Sequence, residues 1–317
     1  MPEKDVRGEH VAAGPVFSVI IPTFARPEKL RACLGGITRL DFDRARFEVI
    51  VVDDGSPQPL DDVLAGFRDK MALRLVTRPH GGPAATRNAG AAVARGRYLA
   101  FVDDDCAPAP DWLSALDREL ARDERRLLGG SVENALSSNA YADASERINR
   151  FVYQYNRTDR AHERFFTTNN LAVSAELFRA LGGFATTIPS ATAEDKEFCD
   201  RWRAQGFELT HVPDAVVYHF HDLTFARFLR QHFNYGRGIL AFRLMRRARQ
   251  GGSILPEPLS FYVDLGLSPM RQRSQTRRWR PFLLILAAQL ATVAGAAHEA
   301  VRRPFDQGSR ARRGERT

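Results

Sequence analysis

The chain has 317 residues, 44% of them hydrophobic and 26% charged, enough apolar material for one large core or two modest ones and too much for a largely disordered chain. Lys and Arg number 46 against 38 Asp and Glu, a formal charge of +8 that predicts attraction to phosphates, nucleotides, anionic lipid or nucleic acid without choosing among them. The cysteines, Cys33, Cys106 and Cys199, lack paired spacing, which argues against a disulfide framework or a tetrahedral zinc site and fits a reducing compartment.

Residues 1–10 are charged and lack the apolar stretch of a secretory signal, so a cytoplasmic location and a flexible segment over 1–14 are expected. Short, partly β-branched apolar runs at 17–21, 47–52, 73–77 and 98–102 read as strands with helical patterns between them. The first helix is expected to open at Pro27, with Leu30, Leu34 and Ile37 on one face; a second stripe runs through Leu60, Leu64 and Phe67. Near-continuous apolar strands joined by helices call for a doubly wound α/β architecture, a mostly parallel sheet covered on both faces, and such sheets bind ligands at the strands' carboxyl ends. Beyond Gly129 the pattern loosens, with a polar helix expected over 139–157 and a strand over 165–173. Residues 15–250 are then expected to form one α/β domain in two halves, 15–130 and 131–250, the second shaping an acceptor site, and 251–317 a basic and apolar extension.

The residues at the carboxyl end of each strand carry the chemistry. Asp103, Asp104 and Asp105 come directly after the fourth; two such carboxylates 4 to 5 Å apart repel by roughly 3 to 4 kcal/mol at an effective dielectric of about 20. If the backbone is extended, Asp103 and Asp105 point the same way and could share a hard cation, whereas a solvated turn before Pro108 and Pro110 is the alternative. Asp53-Asp54-Gly55-Ser56 after the second strand is either tight-turn chemistry or a site for a base imide or ribose hydroxyls. Gly81-Gly82 before a small-residue helix bearing Arg87 suits a nucleotide, although it matches neither a dinucleotide fingerprint nor a P-loop. Glu194-Asp195 opens a further helix, where Thr192-Ala193-Glu194-Asp195 fits a capping box and, equally, a general base. His219 and His221 share a face if extended, and His219 is preferred as a cation ligand.

Taken in order, Phe17-Ser18-Val19-Ile20-Ile21-Pro22-Thr23, Val51-Val52-Asp53-Asp54-Gly55-Ser56, Arg87-Asn88-Ala89-Gly90, Phe101-Val102-Asp103-Asp104-Asp105, Gly182-Gly183-Phe184 and Glu194-Asp195 resemble the family 2 glycosyltransferases across roughly residues 16–238. The resemblance implies the Rossmann-like GT-A fold, a UDP-, GDP- or dTDP-sugar donor, Mn²⁺ or Mg²⁺, and inversion at the anomeric carbon. By position, Pro22, Thr23, Asp53, Asp54, Arg87 and Asn88 would hold the nucleotide. Asp103 and Asp105 would form the DXD motif, with Asp104 between them on the donor and His219 as a late metal ligand. Asp195, beside Glu194, would be the base, and Asn169 and Asn170 would belong to the sugar and acceptor loop. The segment Gln231-His232-Phe233-Asn234-Tyr235-Gly236-Arg237 lacks the Q-x-x-R-W of processive synthases, which favours single transfer; Arg237 could still reach the diphosphate.

The apolar run 282–297 would extend about 24 Å as a helix at about 1.5 Å per residue, short against a hydrocarbon core of about 30 Å. Gln289, Thr292 and Glu299 fall near one side of it, and arginines flank it (Arg271, Arg273, Arg277, Arg278 and Arg280 before; Arg302, Arg303, Arg310, Arg312, Arg313 and Arg316 after). That pattern suggests a helix lying on an anionic membrane surface, while docking on the catalytic domain or a second subunit is the alternative. The expected acceptor is a glycan, a lipid-linked sugar or a polysaccharide precursor. Two other readings are a sugar nucleotidyltransferase, which usually needs a glycine-rich loop where Pro22-Thr23-Phe24-Ala25-Arg26 stands, and a non-catalytic nucleotide-binding module. The acidic strand ends argue against nucleic acid as a ligand.

Overall fold

A computed structural model of the protein describes residues 14–156, 165–188, 192–251, 254, 256–271 and 279–302. Residues 1–13 of the expected flexible segment and most of the flanking arginines (Arg273, Arg277, Arg278 and those from Arg303 on) lie outside the described residues.

The first half alternates as the apolar runs predict: β1 (Phe17–Thr23), α1 (Pro27–Ile37), β2 (Phe47–Asp53), α2 (Asp61–Ala65), β3 (Leu73–Thr77), α3 (Pro83–Val93) and β4 (Tyr98–Phe101). Proline opens both α1 and α3, where its fixed φ suits the first turn and its missing N–H leaves nothing unpaired. The stripe through Leu60, Leu64 and Phe67 yields only the five residues of α2, because Leu60 is its N-cap and the chain leaves the helix at Gly66. After β4 come β5 (Cys106–Pro108), α4 (Trp112–Leu120), β6 (Leu127–Asn134), α5 (Ala140–Asn156), β7 (Leu171–Ser174), α6 (Ala175–Ala180), α7 (Glu194–Ala204), β8 (Leu209–His219), α8 (Phe225–Gln250), α9 (Leu259–Arg271) and α10 (Trp279–Arg302). The strand expected over 165–173 is shorter than its apolar run. A 3₁₀ turn over Thr168–Asn170 interrupts it, with the Asn170 side chain bonded to Trp112 and to the carbonyls of Ser131 and Ala215.

One sheet of eight strands runs β3-β2-β1-β4-β7-β6-β8-β5. β1 pairs in parallel with both β2 and β4, and β2 with β3. The far half is mixed: β4 with β7, β6 with β7 and β5 with β8 are antiparallel, while β6 with β8 is parallel. The chain leaves β1 toward β2 on one side and returns from β3 to β4 on the other, so the order reverses at the β1–β4 boundary, where a crevice opens at the strands' carboxyl ends.

Alternation along the strands sends side chains to two cores. Phe17, Val19 and Ile21 face the layer of α1, α2 and α4; Ile20, Ile50 and Val52 face α3, α6 and α7, where Phe101, Phe178, Phe184, Phe198 and Trp202 fill the space. Two short motifs are set by this packing. A Cβ on Gly90 would lie 2.7 Å from Ile20, so a side chain there would push α3 off the sheet. Gly183, at φ +68°, would bring a Cβ within 2.6 Å of Asn88, whose amide bonds both the N–H and the carbonyl of Phe184.

Helix α10 lies along α8. Gly236 and Gly295 meet at the crossing, where added Cβ atoms would fall 1.9 Å from the Thr292 carbonyl and 1.8 Å from that of Phe233. An ion pair from Arg237 to the buried Glu299 at 3.0 Å fastens the far end. α10 spans 24 residues rather than the 16 of the apolar run, since Trp279, Arg280, His298 and Glu299 continue the helix beyond it. It is therefore long and apolar enough, by length and composition, to cross a membrane, and is the one such helix among the described residues.

Candidate active site

A cleft of about 2180 Å³ opens over the β1–β4 boundary and extends between α5, α8 and α10. Pro22, Thr23, Asp54, Arg87, Asp103, Asp104, Asp105, Asn169, Glu194, Asp195 and His219 all line it. Residues far apart in the chain are thus gathered by the sheet.

The aspartate triplet does not continue β4. Cys106 N–H bonds the Asp103 carbonyl at 3.1 Å, closing a turn that separates the three carboxylates instead of alternating them. Asp103 is held by Arg87 Nη2 at 2.6 Å. Asp104, buried, accepts from Thr23 Oγ1 at 2.7 Å and from Arg26 at 3.3 Å. Asp105, also buried, accepts from Lys29 Nζ at 3.1 Å and lies 3.3 Å from His219 Nε2. Arg26 and Lys29, which no motif singled out, join Arg87 as the cations that offset this acidic cluster. Their spacing across the first turn of α1 was the available signal.

Register explains the Asp105–His219 contact: β5 runs antiparallel to β8 with Cys106 opposite His219, and Phe220 N–H donates to the Asp105 carbonyl. Burial would raise the Asp105 pKa, yet the hydrogen bond and charge of His219, with Lys29, hold it well below the carboxylate range. Burial pushes Asp104 the other way, up to about 6 despite Arg26. The rings of His219 and His221 stack at 4.6 Å, and His221, desolvated and beside His219, is lowered to about 4. Among the described residues, Asp105, Cys106 and His219 have ligand atoms within 4.8 Å of one another. A carboxylate and an imidazole suit Mn²⁺ or Mg²⁺; burial and the neighbouring aspartates drive the Cys106 thiol far up, so it stays protonated and a poor partner for a hard cation. Asp103, bonded to Arg87, is not in this group.

Arg87 links the two ends of the site. Buried, it donates through Nη1 to Glu194 at 3.0 Å and through Nη2 to Asp103. Burial alone would lower its pKa; Asp103 and Glu194 reverse that and raise it. The capping box expected at 192–195 does not form: Ala193 is the N-cap with no side-chain bond, and Thr192 Oγ1 donates instead to the Asn234 carbonyl on α8. Helix α7 is fixed from its far side, where Arg201, Arg246 and Arg249 engage Glu197 and Asp200. Asp195, half-buried, accepts from Lys196 N–H at 2.7 Å, and removal from water together with the Glu194 charge raises its pKa to about 7.

Four candidates stand outside the cleft lining. Asp53 accepts from the N–H and hydroxyl of Ser56 at 3.0 and 2.5 Å, closing the turn after β2. Asn88 bonds Phe184, Asn170 bonds Trp112, and Arg237 bonds Glu299. Asp54 does line the cleft, but its oxygens already accept from Gly81 and Gly82 N–H groups and from Arg78. Beside it the Phe24 and His80 rings lie 4.5 Å apart, tilted by 36°, an aromatic pair that no motif announced.

Residues 18–182 match the family model described as Glycosyl transferase family 2. Glycosyltransferase AglE of Haloferax volcanii is 27% identical over 236 residues, covering 74% of this chain and 76% of that one. The hyaluronan synthase of Pasteurella multocida is 26% identical over 247 residues, 68% of this chain but only 25% of the synthase. Among solved structures, the mannosyltransferase PcManGT from Pyrobaculum calidifontis, in complex with GDP-Man and Mn²⁺, shares the fold with a TM-score of 0.60 at 21% identity, over 91% of this chain and 79% of its own. TarS 1-349 of S. aureus, in complex with UDP-GlcNAc, gives 0.54 at 16% identity over 90% and 91%.

Proposed function

The chain belongs to glycosyltransferase family 2 and has the mixed α/β GT-A fold, and on that basis we propose that it transfers one sugar from a UDP-, GDP- or dTDP-sugar to an acceptor hydroxyl by a single inverting displacement. The observation that carries this reading is Arg87, which joins the strand-end carboxylate Asp103 to the start of α7, one residue before Asp195. Asp195 takes the proton from the attacking hydroxyl; its raised pKa makes it a stronger base than an ordinary carboxylate. Arg87 stabilises charge developing on the diphosphate. The Phe24–His80 pair offers an aromatic surface at the nucleotide end. Asp105 and His219 would hold a Mn²⁺ or Mg²⁺ ion, which when bound neutralises the departing diphosphate. Asn169, which lines the cleft with its Oδ1 accepting from Thr167, would belong to the sugar and acceptor loop.

The orientation of α10 bears on location and acceptor. Its polar side turns inward, with Gln289 bonded to the Tyr262 carbonyl and Glu299 to Arg237, so Leu283, Leu286, Leu290 and Val293 face outward. We place this outward apolar face on an anionic membrane surface, which suits a lipid-linked acceptor.

The test is nucleotide release from a panel of nucleotide sugars with Mn²⁺ present. Asp195→Asn is expected to cut turnover by about 10² to 10⁴ while nucleotide binding, read by thermal shift, persists. Undiminished release by that variant removes Asp195 as the base, and turnover indifferent to EDTA removes the metal.

A further inference from the structure

The chain matches each of the three strand-end aspartates with a cation of its own. Asp103 meets Arg87 at 2.6 Å, Asp104 meets Arg26 at 3.3 Å and Asp105 meets Lys29 at 3.1 Å. Arg26 also reaches Asp105, at 3.4 Å, and Arg87 also holds Glu194, at 3.0 Å. Four carboxylates thus face three cations, and the group as a whole carries one excess negative charge.

The two oxygens of Asp105 face different partners. Oδ2 meets Lys29 Nζ and Arg26 Nη1, whereas Oδ1 lies 3.3 Å from His219 Nε2. The oxygen beside His219 is the one available to a divalent ion, and the other is taken by α1. Asp105 is buried and fixed through its backbone, because Phe220 N–H donates to its carbonyl at 2.8 Å and the next residue, Cys106, pairs with His219 across β5 and β8. Lys29 is freer: its side chain is 35% exposed on the first turn of α1, and both it and Arg26 line the cleft.

This arrangement gives Lys29 an effect of definite sign. A divalent ion on Oδ1 and His219 is brought next to the ammonium on Oδ2, and in a partly buried site that repulsion is screened much less than in water. The ion also carries more positive charge than the excess negative charge of the group, so by itself it leaves the site with a positive excess. A nucleotide-sugar diphosphate, with one negative charge on each phosphate, returns the balance to its starting value, and a lysine is a suitable point-charge partner for a phosphate oxygen.

We propose that Lys29 sets the metal affinity of this site: paired with Asp105 Oδ2, it opposes a divalent ion that arrives alone, and it gives up Asp105 for the diphosphate of the donor, so that ion and nucleotide bind together. This rests on the metal-assisted transferase reading above and adds to it a residue whose removal strengthens binding of the ion.

The probe is Mn²⁺, titrated into the full-length protein with the free ion read from its EPR signal. Lys29→Met, which keeps the length of the side chain and deletes the charge, is expected to bind Mn²⁺ about tenfold more tightly than the native protein. Lys29→Arg, which keeps the charge, is expected to stay within twofold of native, and His219→Ala, expected to abolish the binding, identifies the ion counted as the one at this site. With UDP, GDP and dTDP added in turn, at least one is expected to tighten Mn²⁺ binding by the native protein about tenfold or more, and by Lys29→Met distinctly less. Unchanged or weaker Mn²⁺ binding by Lys29→Met, equal tightening by Lys29→Arg, or the same nucleotide effect in native and Lys29→Met proteins each overturns the role of Lys29. If neither protein binds Mn²⁺ with or without nucleotide, the metal reading fails and takes this inference with it. If Lys29→Met binds the ion more tightly and shows the smaller nucleotide effect while no nucleotide sugar is consumed, Lys29 keeps its role and the transferase reading alone fails.

Discussion

Arg87 and Asp195 concentrate the electrostatics of the site. The guanidinium is buried between Asp103 and Glu194, and its fork geometry matters as much as its charge, because two acids at different positions must be satisfied by two different nitrogens. Asp195 is the counterpart, a carboxyl whose withdrawal from water and proximity to Glu194 favour the protonated form. A base works only when ionised, so a raised pKa places the loss of activity at the acid side of a neutral pH. We expect kcat/KM to climb roughly tenfold per pH unit up to about pH 7 and to level off above it, measured as donor consumption across the acidic and neutral range. A profile already flat well below neutrality would show that Asp195 is not the titrating base. The sequence singled out both residues, but not their mutual arrangement: it offered a capping box at 192–195, and only the packing of α8 explains why Thr192 bonds Asn234 instead.

Among the helices, two contacts govern the acceptor side. α7 is anchored by arginines from α7 and α8 on Glu197 and Asp200, and α8 is anchored by α10 through the Gly236–Gly295 crossing. Backbone approach this close leaves no room for a methyl group. Gly295→Ala would set its Cβ 1.8 Å from the Phe233 carbonyl, so the helices must separate. The expected cost is about 1 to 3 kcal/mol, read as a lower Tm and a lower denaturation midpoint. Wild-type stability in that variant would mean that the crossing is not a tight contact. None of this was legible in advance, since a glycine in a helical pattern announces only a weakened helix. By contrast, the pairing of the Arg87-Asn88-Ala89-Gly90 and Gly182-Gly183-Phe184 motifs now has a cause: the Asn88 amide bridges both backbone groups of Phe184, and Gly183 clears the space for it.

For the molecule as a whole, the apolar surface is unevenly placed. Leu259, Val263 and Leu267 on α9 and Leu283, Leu286, Leu290 and Val293 on α10 are exposed, each set recurring at helical spacing. With a chain of net charge +8, the membrane-surface proposal predicts co-flotation with vesicles containing phosphatidylglycerol, weaker binding to pure phosphatidylcholine, and loss of binding in the double variant Leu286→Glu, Leu290→Glu. Equal partition of the native and doubly substituted proteins would exclude α10 as the contact.

The strand and helix order of the first half, the carboxyl-end positions of Pro22, Asp54 and the aspartate triplet, and the family itself could be read from the chain alone. These depend on local periodicity and on residues adjacent in sequence, where covalent connection already fixes which groups are neighbours. The antiparallel half of the sheet, the Asp105–His219 contact, the diversion of Asp53, Asn88, Asn170 and Arg237 into structural bonds, and the inward polar face of α10 were decided only by tertiary structure. Each depends on which partner lies across space, and a side chain with two possible partners takes the one that burial leaves within reach.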